Sequence, residues 1–458
     1  MRSINTDVVI VGGGAAGCVT AGVIASFAPG QHITLLEIDC SADCNSTIAS
    51  AFIPGAATRF QKQQGILDTP EAMAADICAK NHGESDYEIT LSMCRHSANA
   101  LHWMADIAHV PIEFAGEIHW LGHNTPRMHS HKLRSGIPII RCLHTFLEKS
   151  ENIHLLDHTT AREIERTSKG AFRVKALSDG RELDIVADFL VLATGGFGGN
   201  PGMIKQYIPD MTDAWHIGAA TNTGDGIRWG LTLGGETKLM NAFQGRDTIR
   251  EDGTRVTPGV ISEGGIAVNN SGVRFVREDL GYSPLSTLFR AQDGKFVFLL
   301  WDERIQGKIA DLYIMIDALE KGEIHSFSDV KQLSEFFDLP GDRLKDTLDT
   351  YNLTPIGVQD EFGRVRETPV LRPPFYASRV TGSIAHTQGG LTINKQSQVI
   401  DESGISINHV YAVGNDAVGL SGAGSDGYLS GNGWFFAITS GFAAGRAIAR
   451  ELTQSTNS

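Results

Sequence analysis

Residues Gly12-Gly13-Gly14-Ala15-Ala16-Gly17 match G-x-G-x-x-G, a spacing whose chemistry is to hold a pyrophosphate against bare backbone. Gly12 permits a tight turn, Gly14 lets the backbone approach the phosphates, and Gly17 lets the next helix lie against the preceding strand. Ala15 and Ala16 open that helix, whose first N–H groups face the anion. Glu37 stands twenty residues beyond Gly17, where an acid accepts hydrogen bonds from a ribose hydroxyl. Glycine turns are common, but this one comes with a distal acid at the expected distance. The set predicts a dinucleotide site.

The elements that must position these residues are legible on either side of them. Asp7-Val8-Val9-Ile10-Val11 is a short apolar run and reads as a buried parallel strand entering the turn. Ile33-Thr34-Leu35-Leu36 is a second such run and delivers Glu37. Phe172-Arg173-Val174 and Phe189-Leu190-Val191-Leu192 follow as strands, the latter ending in Ala193-Thr194-Gly195-Gly196-Phe197. A strand closing in Thr-Gly-Gly again brings backbone close to a ligand. Thr221-Asn222-Thr223-Gly224-Asp225-Gly226 is a tight polar turn opening a helical stretch that stops at Gly234-Gly235. Val410-Tyr411-Ala412-Val413-Gly414 is a further strand entering a glycine turn, and a final helix runs from about Gly433 to Leu452. Residues 70–108 read as helical. From about Asn241 to Tyr351 charges rise, and short strands alternate with amphipathic helices; Leu371-Arg372-Pro373-Pro374-Phe375-Tyr376 marks a return linker. The organisation expected is a discontinuous dinucleotide domain, 1–237 and 371–458, with a second domain inserted at 238–370.

Composition narrows the function classes. The chain has 458 residues, 41% of them hydrophobic and 20% charged, ample for a large core. Its 51 glycines make up about 11% against a usual 7%, so many backbone positions turn sharply or approach a ligand. A net charge of −14 argues against nucleic acid or an anionic membrane as the main partner. No run of eighteen apolar residues occurs, so no membrane span is expected. The six cysteines have no zinc-ligand spacing and read as reduced thiols of a cytoplasmic protein. Arg2 before an apolar segment imitates a secretion signal, but Asp7 and the fingerprint glycines make it structure. His119, His123, His129 and His131 are irregularly spaced and lack acid or thiol partners, so they read as loop histidines near a pocket. No metal is expected.

The set Ala193-Thr194-Gly195-Gly196-Phe197, Thr223-Gly224-Asp225-Gly226, Gly272-Val273-Arg274-Phe275-Val276, Pro374-Phe375-Tyr376-Ala377 and His386-Thr387-Gln388-Gly389-Gly390 resembles the fumarate reductase/succinate dehydrogenase flavoprotein superfamily, which includes the 3-ketosteroid Δ1-dehydrogenases. The matches run in order from residue 6 to 450. The resemblance implies an α/β fold: a Rossmann-like FAD-binding domain with an inserted α+β capping, catalytic domain, the flavin ring and substrate lying between them. It also implies hydride transfer between a carbon–carbon bond and flavin N5. FAD contacts carried over by the resemblance are Gly12, Gly14, Ala15, Ala16 and Glu37; Ser46, Thr47 and Ser50; Ala193, Thr194 and Gly195; Asp225; Asn415 and Asp416; and Gly433 and Trp434. Some members attach FAD through a histidine in a Ser-His-Thr/Ser element. Ser46 stands at that position here, so the FAD is expected to be non-covalent. Ala51-Phe52 departs from the Gly-Gly usual near the flavin.

Two further departures concern substrate. Fumarate reductases place a proton-donating arginine shortly after the Arg-Phe-Val-x-Glu element, where this chain has Tyr282 after Arg274-Phe275-Val276-Arg277-Glu278. A second arginine, in Arg-Leu-Gly-Gly-Asn, is replaced in Tyr428-Leu429-Ser430-Gly431-Asn432. Losing two bidentate carboxylate partners argues against a C4 dicarboxylate. Both tyrosines resemble site tyrosines of the ketosteroid dehydrogenases, Tyr282 falling near their base and Tyr428 near their carbonyl-binding group. His386 matches a carboxylate-binding histidine of the reductases and equally suits a structural role beside the Thr387-Gln388-Gly389-Gly390 turn. The substrate contacts expected are therefore His386, Tyr428 and Asn432, with Tyr282, Tyr428 and His386 doing the chemistry. The leading reading is an FAD-dependent α,β-dehydrogenase (desaturase) of a saturated cyclic ketone or oxo acid. The alternatives are an enoate reductase of the fumarate reductase type, a 3-ketosteroid Δ1-dehydrogenase, or a flavin-carrying subunit that relays electrons. The sequence names no electron acceptor.

Overall fold

The computed structural model describes residues 2–116 and 120–455 of the protein. They form two compact units: Met1–Ile208, Gly218–Phe243 and His386–Ser458 in one, Pro209–Ile217 and Gln244–Ala385 in the other.

The first unit is built on a twisted sheet. Its parallel core runs Ser406–Ala412, Arg181–Leu192, Arg2–Val11, Ile33–Leu36, Ile153–Leu156, in that spatial order. Gln398–Ile400 adds antiparallel at one edge, and Thr159–Arg166 with Phe172–Ser178 extends Arg181–Leu192 as an antiparallel hairpin. Because a parallel sheet is covered on both faces, its central strands are apolar on both. Val8, Ile10, Leu35 and Val191 pack one side with the helix Ala15–Phe27 and the final helix Asn432–Ser455. Val9, Val11, Leu190 and Leu192 fill the other. The first strand begins at Arg2 rather than Asp7, since pairing with Arg181–Leu192 continues from Val11↔Leu192 back to Arg2↔Leu183 through a mostly polar stretch in which Ile4 alone is apolar.

The 70–108 stretch is two helices, Pro70–Lys80 and Tyr87–Asp106. Gly83 at φ 76° ends the first turn sequence, and Asp86 caps the second helix by accepting from Glu88 N and Ile89 N. Beyond them Arg127, 1% exposed, is held by Asp68 (2.7 and 3.0 Å) and by Asp76, which also accepts from Asn124 N. This buried triad fixes the histidine-rich segment. His129 bonds Thr58 Oγ1 at 2.8 Å and His123 bonds Ser430 O at 2.9 Å; burial pushes both imidazoles down to about 4, so they are neutral structural groups at pH 7. His131 accepts from Leu133 N, and His119 lies outside the described residues.

The second unit centres on Val297–Asp302, antiparallel to Ile266–Val268 on one side and to Phe375–Thr387 on the other. Its limits differ from 238–370. Residues 238–243 stay with the first unit, while the strand after Pro374 pairs along Val297–Asp302 and carries the second unit to Ala385. Trp215–His216 joins it by pairing in parallel with Ser383–Ile384, a contact that no local pattern announces. Among the described residues no helix is long and apolar enough to cross a membrane.

Candidate active site

The glycine turn is shaped as its spacing demands. Gly12 has φ 112°, and a Cβ there would lie 2.2 Å from Ala193 O; a Cβ on Gly17 would lie 1.9 Å from Gly12 O. A Cβ on Gly14 would meet only Ser46 Oγ, at 3.7 Å, so the space in front of the helix Ala15–Phe27 is open. Ser46 Oγ accepts the Ala15 N–H at 3.2 Å, whereas the rest of the first turn retains donors for an anion. Glu37 accepts from Gly13 N at 2.5 Å and from Ile38 N and Asp39 N at 2.8 and 3.2 Å, which locks its carboxylate beside the turn.

A second set of loops is tied together by Asp416. Its fully buried carboxylate accepts from Thr194 N (2.5 Å), Thr194 Oγ1 (2.9 Å) and Gly196 N (3.2 Å). Burial raises this carboxyl to about 6, and the bonds from Thr194 and Gly196 oppose the rise. Asp416 therefore holds the Ala193–Gly196 turn. Asn415 is half-buried beside Gly196, whose Cβ would meet it at 3.1 Å. Asp225, at the start of the helix Asp225–Thr232, accepts from Thr223 Oγ1 at 2.6 Å and pairs with Arg228. Thr47 closes its own turn against Cys44, and Ser50 is exposed. Ala51 keeps the left-handed backbone a glycine would take, at φ 51° while 2% exposed, a conformation costing about 1–2 kcal/mol for an L-residue.

At the start of the final helix three expected site residues meet. Tyr428, 7% exposed, faces the His386 ring edge-on at 5.8 Å between centroids, and its hydroxyl accepts the Gly433 N–H at 3.3 Å. A Cβ on Gly433 would lie 2.8 Å from His386 Nε2, so only glycine admits this approach. Asn432 is buried; its Nδ2 donates to Ser421 Oγ at 3.4 Å and its Oδ1 has no partner among the described residues. Nor have the buried Trp434 Nε1 and Asn45 Nδ2.

Tyr282 belongs to the second unit and opens the helix Tyr282–Arg290 after Gly281. Its position is set from behind. Glu278 is fully buried and accepts from Arg274 (2.9 and 2.7 Å), Arg364 (3.1 Å) and Ala267 N (3.2 Å). The acid of the Arg-Phe-Val-x-Glu element is thus a structural anchor. Arg246 lies with its guanidinium over the Tyr282 ring, 5.0 Å from the centroid. Sequence reasoning missed Arg246, and the one signal for it is a lone cation inside an otherwise buried strand, Phe243–Ile249.

A parallel sheet entering two glycine turns, with an acid beside the first, defines a dinucleotide-binding fold. Residues 7–434 match the family model described as FAD binding domain, and the chain belongs to that family of flavoproteins. It is an FAD-dependent oxidoreductase related to the fumarate reductases. The NADH:fumarate oxidoreductase of Klebsiella pneumoniae (strain 342) is 28% identical over 456 residues, 97% of this chain and 48% of that one. The chain thus spans about half the length of that relative. The fumarate reductase (cytochrome) of Shewanella frigidimarina is 28% identical over 458 residues, 97% of this chain and 77% of that one. The 3-ketosteroid-Δ4-(5α)-dehydrogenase of Rhodococcus jostii RHA1, solved with 4-androstene-3,17-dione, shares the fold with a TM-score of 0.80 at 23% identity, covering 98% of each chain.

The residues present fit FAD. The open space at Gly14 suits the pyrophosphate, Glu37 the ribose, and the unpartnered Asn45, Asn432 and Trp434 atoms are polar groups that await a ligand. Glu37→Ala frees the Gly13 N–H and is expected to weaken FAD binding by about 1.5–3 kcal/mol, the size of one charge-assisted hydrogen bond. Titration of apoprotein with FAD measures this, and an unchanged Kd would remove Glu37 from the site.

Proposed function

We propose that the protein is an α,β-dehydrogenase of a saturated cyclic ketone or oxo acid, with FAD held non-covalently. The observation that carries this reading is the convergence of Tyr428, His386 and the Gly433 N–H at the start of the final helix. There a hydroxyl, an imidazole and the positive end of a long helix are gathered where a carboxylate clamp would need arginine. Such a group polarises a carbonyl oxygen and stabilises the enolate that develops when the α-proton leaves. Tyr282 is the base assigned to that proton. Bound FAD supplies the sink for the two electrons that depart with the β-hydrogen. Tyr428 donates a hydrogen bond from its hydroxyl to the carbonyl oxygen, His386 orients the phenol ring, and Asn432 lines the same end.

The relatives favour a second reading in one respect, since those named for fumarate run the redox pair toward the saturated product. Tyr282 and Tyr428 weigh against fumarate itself, because neither supplies the fixed positive charge that two carboxylates require.

Anaerobic mixing of the holoenzyme with a panel of cyclic ketones, cyclic oxo acids, a 3-ketosteroid and succinate decides among these. Flavin bleaching is expected with a cyclic ketone or oxo acid and not with succinate. Rapid oxidation of a reduced dye by fumarate, with no bleaching by any saturated ketone, would replace the desaturase reading with the enoate reductase.

A further inference from the structure

Ser421 ties together the segments that carry His386, Tyr428 and Asn432, all within the first unit. The residue is 1% exposed; its hydroxyl donates to Gln388 Oε1 at 2.6 Å and accepts from Asn432 Nδ2 at 3.4 Å. Gln388 lies just beyond His386 in the chain, and Asn432 begins the final helix. The surrounding backbone is fixed as well. Gly419 N donates to Gln388 O at 2.7 Å, and Leu420 O accepts from Asn81 Nδ2 at 2.7 Å. A Cβ on Gly427 would lie 2.1 Å from Ser421 O, and one on Gly419 would lie 2.7 Å from Gln388 Oε1, so the loop packs directly on the pair.

A serine hydroxyl has one proton, and here that proton decides which way the Asn432 amide faces. It is committed to Gln388 Oε1, so the serine oxygen has only lone pairs left for Asn432. The amide therefore turns its Nδ2 toward Ser421, and its Oδ1 is buried with no partner among the described residues. A buried acceptor is costly to leave unmet, so the site calls for a ligand that brings a donor. A substrate carbonyl oxygen has no use for this atom. Its donor remains the Tyr428 hydroxyl, while Oδ1 takes an N–H or O–H.

We infer that Ser421 is a positioning residue which, with Gln388, holds the Asn432 amide so that Oδ1 accepts a hydrogen bond from an N–H or O–H of a bound ligand. This rests on the reading that the start of the final helix faces the ligand, and deepens it by fixing the polarity of one contact. The imide N–H of a flavin ring and a hydroxyl or N–H on the substrate are the same chemistry to this acceptor. Ser421 and Gln388 both act through Asn432. Without the glutamine acceptor the serine proton is free to turn to Asn432, and the amide then presents Nδ2 in place of Oδ1. Loss of Gln388 should therefore imitate loss of the serine hydroxyl.

Two arms test the inference and separate the sources of the donor. In the first, apoprotein is titrated with FAD in wild type, Ser421→Ala, Ser421→Thr, Gln388→Met and Asn432→Ala, and in Ser421→Ala and Gln388→Met each combined with Asn432→Ala. In the second, stopped flow follows the FAD-loaded variants with the panel compound that bleaches the flavin, or with fumarate against reduced flavin if no ketone does. Asn432→Ala is expected to lose about tenfold or more in one arm, and Ser421→Ala and Gln388→Met roughly threefold to tenfold in that same arm. Threonine, which keeps the hydroxyl, should restore it. Neither Ser421→Ala nor Gln388→Met should lose anything further once residue 432 is alanine, a condition that a merely structural serine does not meet. Gln388→Met carries the comparison if Ser421→Ala does not fold. Weakened FAD binding assigns the donor to the flavin; a loss of rate alone, at full FAD content and unchanged circular dichroism, assigns it to the substrate. Equal losses with and without Asn432, or wild-type values for Asn432→Ala in every arm that gives a signal, would overturn the inference. Losses conditional on Asn432, with no bleaching by any saturated ketone, support it and overturn the desaturase reading alone.

Discussion

Tyr282→Phe is expected to keep FAD and substrate binding while slowing flavin reduction at least about a hundredfold, the lower range for loss of a general base. A ketone makes its α-hydrogen only weakly acidic, so the base and the carbonyl contact must act together. A free tyrosine, with a pKa near 10, is ionised in about one molecule in a thousand at pH 7. A base that must first lose its own proton makes the rate rise with pH until it is ionised, and that rise should vanish in the phenylalanine variant. Tyr282 opens its helix and is anchored through Glu278 on the neighbouring 3-10 turn, so the substitution leaves the buried Arg274–Glu278–Arg364 network untouched. Tyr428→Phe should differ in kind, weakening binding and rate together. Stopped-flow bleaching with the true substrate reads both; near-normal reduction in Tyr282→Phe would leave the base unassigned.

Gly17→Ala is expected to abolish FAD binding and most of the folded protein. The added methyl would sit 1.9 Å from Gly12 O, a backbone atom that cannot yield without opening the turn. The strand Arg2–Val11 and the helix Ala15–Phe27 meet there, so relief must come by displacing the helix from the sheet. A substitution at a turn fully open to solvent, such as Gly30→Ala, has nothing within 4 Å of its Cβ and should retain the cofactor. Flavin content and circular dichroism of the two purified variants provide the comparison. A yellow, stable Gly17→Ala protein would contradict the tight approach.

The glycine turn and Glu37 were readable because each is a local signal, a strand and a turn in immediate succession. The strands Ile33–Leu36 and Arg181–Leu192 carried enough apolar residues to be seen as well. What escaped was held by distant pairing. Nothing near Trp215 indicates that it will pair with Ser383, and nothing near Pro374 indicates that the following strand completes the second unit's sheet. Family likeness pointed to Tyr428, His386 and Gly433 together, but not to the absence of a side chain at 433 as the condition for their contact. Arg246 left no motif at all. Its place over the Tyr282 ring is a property of the folded surroundings and has no spelling in the chain. Asp416 is the converse case: a residue expected at the cofactor that the fold uses to tie two loops.

That tie also sets an order on synthesis. The Thr194 turn depends on a carboxylate 222 residues downstream, which at ordinary elongation rates emerges roughly 10–45 seconds later. The helix Ala15–Phe27 waits longer still, for Gly441 and Gly445 of the final helix, whose backbones approach it so closely that a Cβ on either would lie 2.6–2.8 Å from Ala16 O or Val23 Cβ. Until then the growing chain carries an apolar helix face with no cover. The glycine turn and its helix consequently reach their final packing only after the last helix has been made.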